Sequence, residues 1–166
     1  LASNPLIRMT MQGIEPLRVW LERRLAGGIA FPPVPVRALD ALLGLGPGLT
    51  PSGDDFLGGV LIALRHLGAS KVAGSVAAEL LPRSSQRTND ISHAPLAAAA
   101  GGEGLAPLHD ILAKLGVAGA FQGGACLSAI DAIGHTSGWD ALAGVMFAAG
   151  VVARVRAAPG EFPAAA

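Results

Sequence analysis

Apolar residues recur at helical spacing through most of the chain. Leu17, Trp20, Leu21 and Leu25 share one helix face behind Pro16, which suits a first helical turn, and Gly27 and Gly28 mark its end. Residues 29–35 carry three prolines and read as an extended connector, followed by a short amphipathic helix bearing Val36, Leu39, Leu42 and Leu43. Beyond a glycine-rich segment, Leu57, Val60, Leu61, Leu64 and Leu67 step along one face of a further helix, with Gly68 as its stop signal. The pattern then predicts helices at 71–81, at Ser92 to Ala100, through Leu105, Leu108, Ile111, Leu112 and Leu115, at about 120–133 and at about 138–156. Residues 82–90 read as a polar connector holding Arg83 and Arg87, with Thr88 or Asn89 capping the helix that follows. No alternating, β-branched segment is long enough for a strand. The expectation is a mainly α fold over 1–166, a single helical domain of about seven to eight helices.

A repeat underlies this pattern. Ser52-Gly53-x-Asp55-x-Leu57-x-Gly59-Val60 returns 85 positions later as Ser137-Gly138-x-Asp140-x-Leu142-x-Gly144-Val145. The apolar stripe of the first copy maps onto Leu142, Val145, Met146, Ala149 and Val152. Upstream, Ala38-Leu39-Asp40-Ala41-Leu42 resembles Ala129-Ile130-Asp131-Ala132-Ile133, with a connector about six residues shorter in the second copy. A helix–loop–helix unit at 38–67 and 129–152, related by an approximate twofold axis, would set two Ser-Gly-x-Asp loops facing each other across a cleft.

Composition narrows the partners. Hydrophobic residues make up 51% of the chain and charged residues 14%, so most helices must bury a face, and an oligomer or hetero-complex would cover what remains. Twelve basic residues balance twelve acidic ones. That balance, with no tyrosine and no basic run, argues against a nucleic-acid partner. The uncharged stretch from Ala141 to Ala153 is shorter than the roughly 18–20 residues that span a bilayer, so no membrane partner is expected. A single cysteine, Cys126, excludes an intramolecular disulfide, reads as a small buried hydrophobe and fits a cytoplasmic location. The chain starts at Leu1 without a signal-peptide pattern, as a piece of a longer protein would.

The candidate chemistry lies in the two loops. The first amides of a helix lack intrahelical partners and carry the positive end of the helix dipole, so a glycine-rich approach lets them cradle a phosphate or carboxylate. Gly46, Gly48 and Gly53 suit that role, and the hydroxyls of Thr50 and Ser52 add donors. No Walker-type lysine motif and no G-x-S-x-G elbow occurs. Asp54 and Asp55 would repel an anion unless Mg²⁺ intervened, which makes the pair a candidate metal site; equally, Ser52 is a competent N-cap and both carboxylates suit a helix's first turn. Glycines in mid-helix at 58, 59 and 144 each cost about 0.5–1 kcal/mol against alanine, which close helix–helix approach or close approach to a ligand would offset. His135, in the second loop, could act as a general base, whereas His66, His93 and His109 show no zinc-ligand spacing.

The segments GLGPGLTPSGDDFLGG (44–59), RTNDIS (87–92) and GHTSGWDALAG (134–144) resemble the AllH-type oxamate carbamoyltransferase subunit family, over roughly residues 33–155. Members of that family typically carry an additional N-terminal portion, so the resemblance implies that this chain is a fragment of a longer one. The resemblance implies a subunit that works with other subunits of a carbamoyltransferase complex in allantoin breakdown, converting oxalurate and phosphate to oxamate and carbamoyl phosphate. Carried onto matching positions, it implies contacts to a small anionic substrate from Gly46, Gly48, Thr50, Ser52, Gly53 and Asp54, then Arg87, Thr88 and Ser92, then Ser137 and Gly138, with Asp55, His135 and Asp140 as candidate catalytic groups. The Ser-x-Arg-Thr-Arg signature of other transcarbamoylases is absent. A non-catalytic helical assembly module, its motif residues serving as helix caps, is the alternative these residues leave open.

Overall fold

The computed structural model describes residues 5–27, 32–115, 123–134 and 136–158. Among them lie eight helices and no strand: α1 (Pro5–Leu25), α2 (Val36–Leu42), α3 (Ser52–His66), α4 (Ser70–Arg87), α5 (Asp90–Gly101), α6 (Ala106–Lys114), α7 (Gly123–Asp131) and α8 (Ser137–Ala157). Helices α3 and α8 form the central pair, and α1, α2, α4, α5, α6 and α7 pack around it. Leu57, Val60, Leu61 and Leu64 of α3 are completely buried, as their spacing predicts, with Val145, Ala148 and Val151 of α8. Cys126 is buried and free.

The repeat is visible in this central crossing. A Cβ placed on Gly59 would stand 2.0 Å from the Ala141 carbonyl oxygen and 3.0 Å from the Val145 nitrogen; one on Gly144 would stand 2.0 Å from the Phe56 oxygen and 3.0 Å from the Val60 nitrogen. These contacts exchange when every residue of α3 is replaced by the one 85 positions later, which is what a twofold axis through the crossing requires. Two glycines therefore let the backbones meet where any side chain would hold them apart. The mid-helix glycines at 59 and 144 serve helix–helix approach.

The correspondence extends upstream with a correction. Gly53 rests on the Leu42 carbonyl and the Leu45 side chain, and Gly138 rests on the Ile130 carbonyl and the Ile133 side chain. Gly53 N–H donates to Leu45 O at 2.9 Å and Gly138 N–H to Ile133 O at 3.3 Å. Leu42 thus corresponds to Ile130, not to Ile133, and the second connector is three residues shorter rather than six. The stripe on α8 holds at Leu142, Val145 and Val152 but departs from the expected one elsewhere. Met146 is exposed, while Ala148 and Val151 are buried, because α8 lacks the cover that α4 and α5 give α3. By length and composition α8 could cross a bilayer, which the shorter Ala141 to Ala153 window did not anticipate; here its Val145, Ala148 and Val151 side lies in the core.

Three prolines sit inside helices. Pro16 lies within α1 instead of opening it, Pro82 lets α4 run on to Arg87 where a connector was expected, and Pro95 lies within α5. A proline in a helix leaves the carbonyl four residues earlier unpaired. Pro16, Pro82 and Pro95 are exposed, as are Gln12, Ala78 and Ile91, whose carbonyls they orphan, so water can take the missing partner's place.

Candidate functional site

The loop between α2 and α3 is held in place by the start of α5. Asp54 is 1% exposed and accepts three hydrogen bonds, from Gly44 N–H at 2.8 Å, from the Ser92 hydroxyl at 2.7 Å and from the Thr88 hydroxyl. Asn89 donates from Nδ2 to Leu49 O at 2.9 Å and caps α5 by accepting from Ser92 N–H at 3.1 Å. Gly44 adopts φ 72°, and a Cβ there would meet the Arg87 carbonyl at 2.7 Å. RTNDIS is therefore a clasp closed on the glycine-rich loop. Arg87 turns away from it: its Nε lies 3.2 Å from the Asp40 carboxylate, which Arg83 shares at 3.6 Å, so both arginines tie α4 to α2 from a helix and not from a connector. Ser52 is the first helical residue and no side chain caps α3, contrary to its reading as the N-cap.

The two helix starts do meet. Thr50 Oγ1 and Ser137 Oγ lie 2.8 Å apart, which joins the loops directly instead of leaving a cleft between them. Asp55, one residue past the clasped Asp54, has a different environment. Its Oδ2 is buried without a hydrogen-bond partner, as is Oδ2 of Asp140, its equivalent in the repeat. Burial pushes the Asp55 carboxyl up to about 6, and the charges of Asp140 and Asp54 add to the rise; hydrogen bonds from Ser137 and Thr50 oppose it.

A cavity of about 370 Å³ opens beside Asp55 between α3, α5 and α6. Its polar wall is Asp54, Asp55, Ser92 and Glu103, and the remainder includes Gly58, Ile62, Leu96, Ala99, Leu108 and Ala141. No lysine or arginine lines it among the described residues. A second cavity, of about 350 Å³, lies on the other side of the crossing, with Asp140, Ser52, Gly46, Gly53, Phe56 and Ala143 in its wall. The residues expected to form one site are thus divided. Asp54, Asp55 and Ser92 border the first cavity, Gly46, Ser52, Gly53 and Asp140 the second, and Thr50 and Ser137 bridge the loops. Gly48, at φ 100°, has open space where a Cβ would be, Gly138 packs on α7, and Thr88 belongs to the clasp. His135 lies outside the described residues.

The pairing of Asp54 with Asp55 as Mg²⁺ ligands finds only one of the two carboxylates with an uncommitted oxygen. Among the described residues no group of three or more His, Cys, Asp or Glu side chains is placed to hold a metal ion. Sequence reasoning named Asn89 only as a cap and missed Gly44. The signal for both was available, since a glycine at a turn and an Asn at a helix start each point to a loop that must be tied.

Comparison with curated proteins and with solved structures gives no significant match. The model of one protein family, described as oxamate carbamoyltransferase subunit AllH, matches residues 42–149, a span that runs from the end of α2 through the clasp and both loops to the middle of α8. On that match, which holds both copies of the repeat, the chain belongs to the oxamate carbamoyltransferase subunit AllH family.

Proposed function

We propose that this subunit holds a small amide-bearing ligand of a carbamoyl-transfer reaction in the Asp55 cavity. The observation that carries the reading is the buried, unpartnered Oδ2 of Asp55 beside an Asp54 whose carboxylate is taken up by the clasp. A buried acceptor without a donor is unfavourable by about 1–3 kcal/mol, and a ligand N–H would supply the donor. Oxamate, oxalurate and carbamoyl phosphate all carry such an N–H. The acidic wall, with Asp55 and Glu103, favours the amide end of the ligand inside and leaves the anionic end toward the helix starts or a partner subunit, where first-turn amides favour negative charge.

In that pose Asp55 is the proton acceptor. As the amide nitrogen of oxamate forms a bond to the carbamoyl carbon and the carbon–oxygen bond to phosphate breaks, the nitrogen's proton passes to Asp55; in the reverse direction Asp55 returns it. A carboxyl with a pKa of about 6 serves both directions near neutral pH. Exposed Leu49, Ile91, Leu105, Trp139 and Met146 favour a second role for the chain, docking on the other subunits of its complex.

Calorimetric titration of the full-length protein with oxamate, oxalurate and carbamoyl phosphate tests this. At least one should bind, and Asp55→Asn should weaken it by about tenfold or more, about 1.4 kcal/mol. Equal affinity in the variant, or no binding to the wild type, would leave the assembly role alone standing.

A further inference from the structure

We infer that Gly58 sets the size and shape of the ligand the Asp55 cavity admits, by offering a bare backbone on which a flat amide or ureido group can rest. The inference builds on the ligand reading of that cavity given above. Gly58 and Gly59 are neighbours in mid-helix, yet only one is explained by packing. At Gly59 a Cβ would strike the Ala141 carbonyl at 2.0 Å. At Gly58 a Cβ would meet nothing nearer than the Ala99 Cβ at 3.8 Å and the Leu96 Cδ2 at 3.9 Å, which is ordinary van der Waals contact, and its φ is not in the left-handed region. Neither backbone conformation nor a neighbouring helix excludes alanine here.

The repeat supplies an internal control. The residue 85 positions after Gly58 is Ala143, which stands in the same place on α8 and borders the second cavity. The register therefore accepts a side chain. What glycine provides at 58 is space: Gly58, Leu96 and Ala99 all border the Asp55 cavity, so a methyl group would project between its walls. Gly58 also lies three residues beyond Asp55, on the same helix face. A planar group bound along that face would present an N–H to the Asp55 carboxylate while its flat side covers the Cα of Gly58. Bulky or tetrahedral groups would be excluded at the same point.

The test compares Gly58→Ala with the wild type, using oxamate, oxalurate and carbamoyl phosphate as probes, by thermal unfolding and calorimetry on the full-length protein. The melting temperature should stay the same or rise, because a mid-helix glycine is replaced by the best helix former. Affinity for the probe that binds the wild type should fall by about tenfold or more. The double variant Gly58→Ala/Ala99→Gly, which removes the methyl group opposite, should recover part of that loss. Unchanged affinity in Gly58→Ala, a lowered melting temperature, or no recovery in the double variant would each overturn the inference while leaving wild-type binding intact. If the wild type binds none of the three probes, the ligand reading itself falls, and the role of Gly58 falls with it.

Discussion

Asp54 and Asp55 have the same side chain and adjacent positions in the first turn of α3, but the helix gives them different hydrogen-bond partners. Asp54 faces the start of α5 and accepts from Gly44, Thr88 and Ser92; Asp55 faces the start of α8 and keeps one oxygen unpartnered. A pH dependence follows. The ordinary Asp carboxyl titrates at 3.8, whereas Asp55 in the folded protein titrates at about 6, so the folded state holds a proton that the unfolded chain has already released. Stability therefore falls as pH rises through the interval from about 4 to 6, the reverse of the usual contribution of an ion-paired aspartate. Asp55→Asn removes this slope, and urea unfolding of both proteins across pH 4–7.5 should show a flatter profile for the variant. An unchanged slope would mean that Asp55 is no more buried than an ordinary surface carboxylate.

At the scale of elements, the crossing of α3 and α8 depends on two glycines that must be read together. Gly59→Ala and Gly144→Ala each place a methyl group about 2 Å from a carbonyl oxygen of the facing helix. Each should cost about 3 kcal/mol or more, at the top of the range for overpacking, since backbone rather than a flexible side chain has to move. Chemical denaturation checks this, and near-neutral variants would show that the backbones do not approach so closely. This crossing was legible in the sequence because the same polar and apolar positions recur at a fixed offset, including both glycines. The length of α4 was not. Whether a proline such as Pro82 breaks a helix depends on whether the carbonyl of Ala78 faces water, which periodicity around residue 82 does not reveal. The upstream register was misread for a related reason: Ala38–Leu42 and Ala129–Ile133 look alike as letters, but the chain aligns the turns that follow α2 and α7, where Gly53 and Gly138 must find a carbonyl.

For the whole molecule, the polar and glycine residues of the matched segment have two kinds of work. One part, Gly44, Asp54, Thr88, Asn89 and Ser92, closes a clasp that fixes the loop between α2 and α3. The rest, Thr50, Asp55, Ser137 and Asp140, lies at the junction of the two repeats, with a cavity on either side. The sequence identified nearly all of these residues, because polar groups next to glycines stand out in so apolar a chain. It did not separate the clasp from the candidate site, since both aspartates satisfy the same local rules for a helix start and only the partner contributed by a distant helix distinguishes them. The most direct measurement of that division is equilibrium unfolding of Asp54→Asn and Asp55→Asn side by side at pH 7.5. Asp54→Asn should lose at least about 2 kcal/mol, because a charged acceptor is taken from three donors, while Asp55→Asn should be as stable as the wild type or more so, because a buried charge is removed. Equal losses in the two variants would contradict the account.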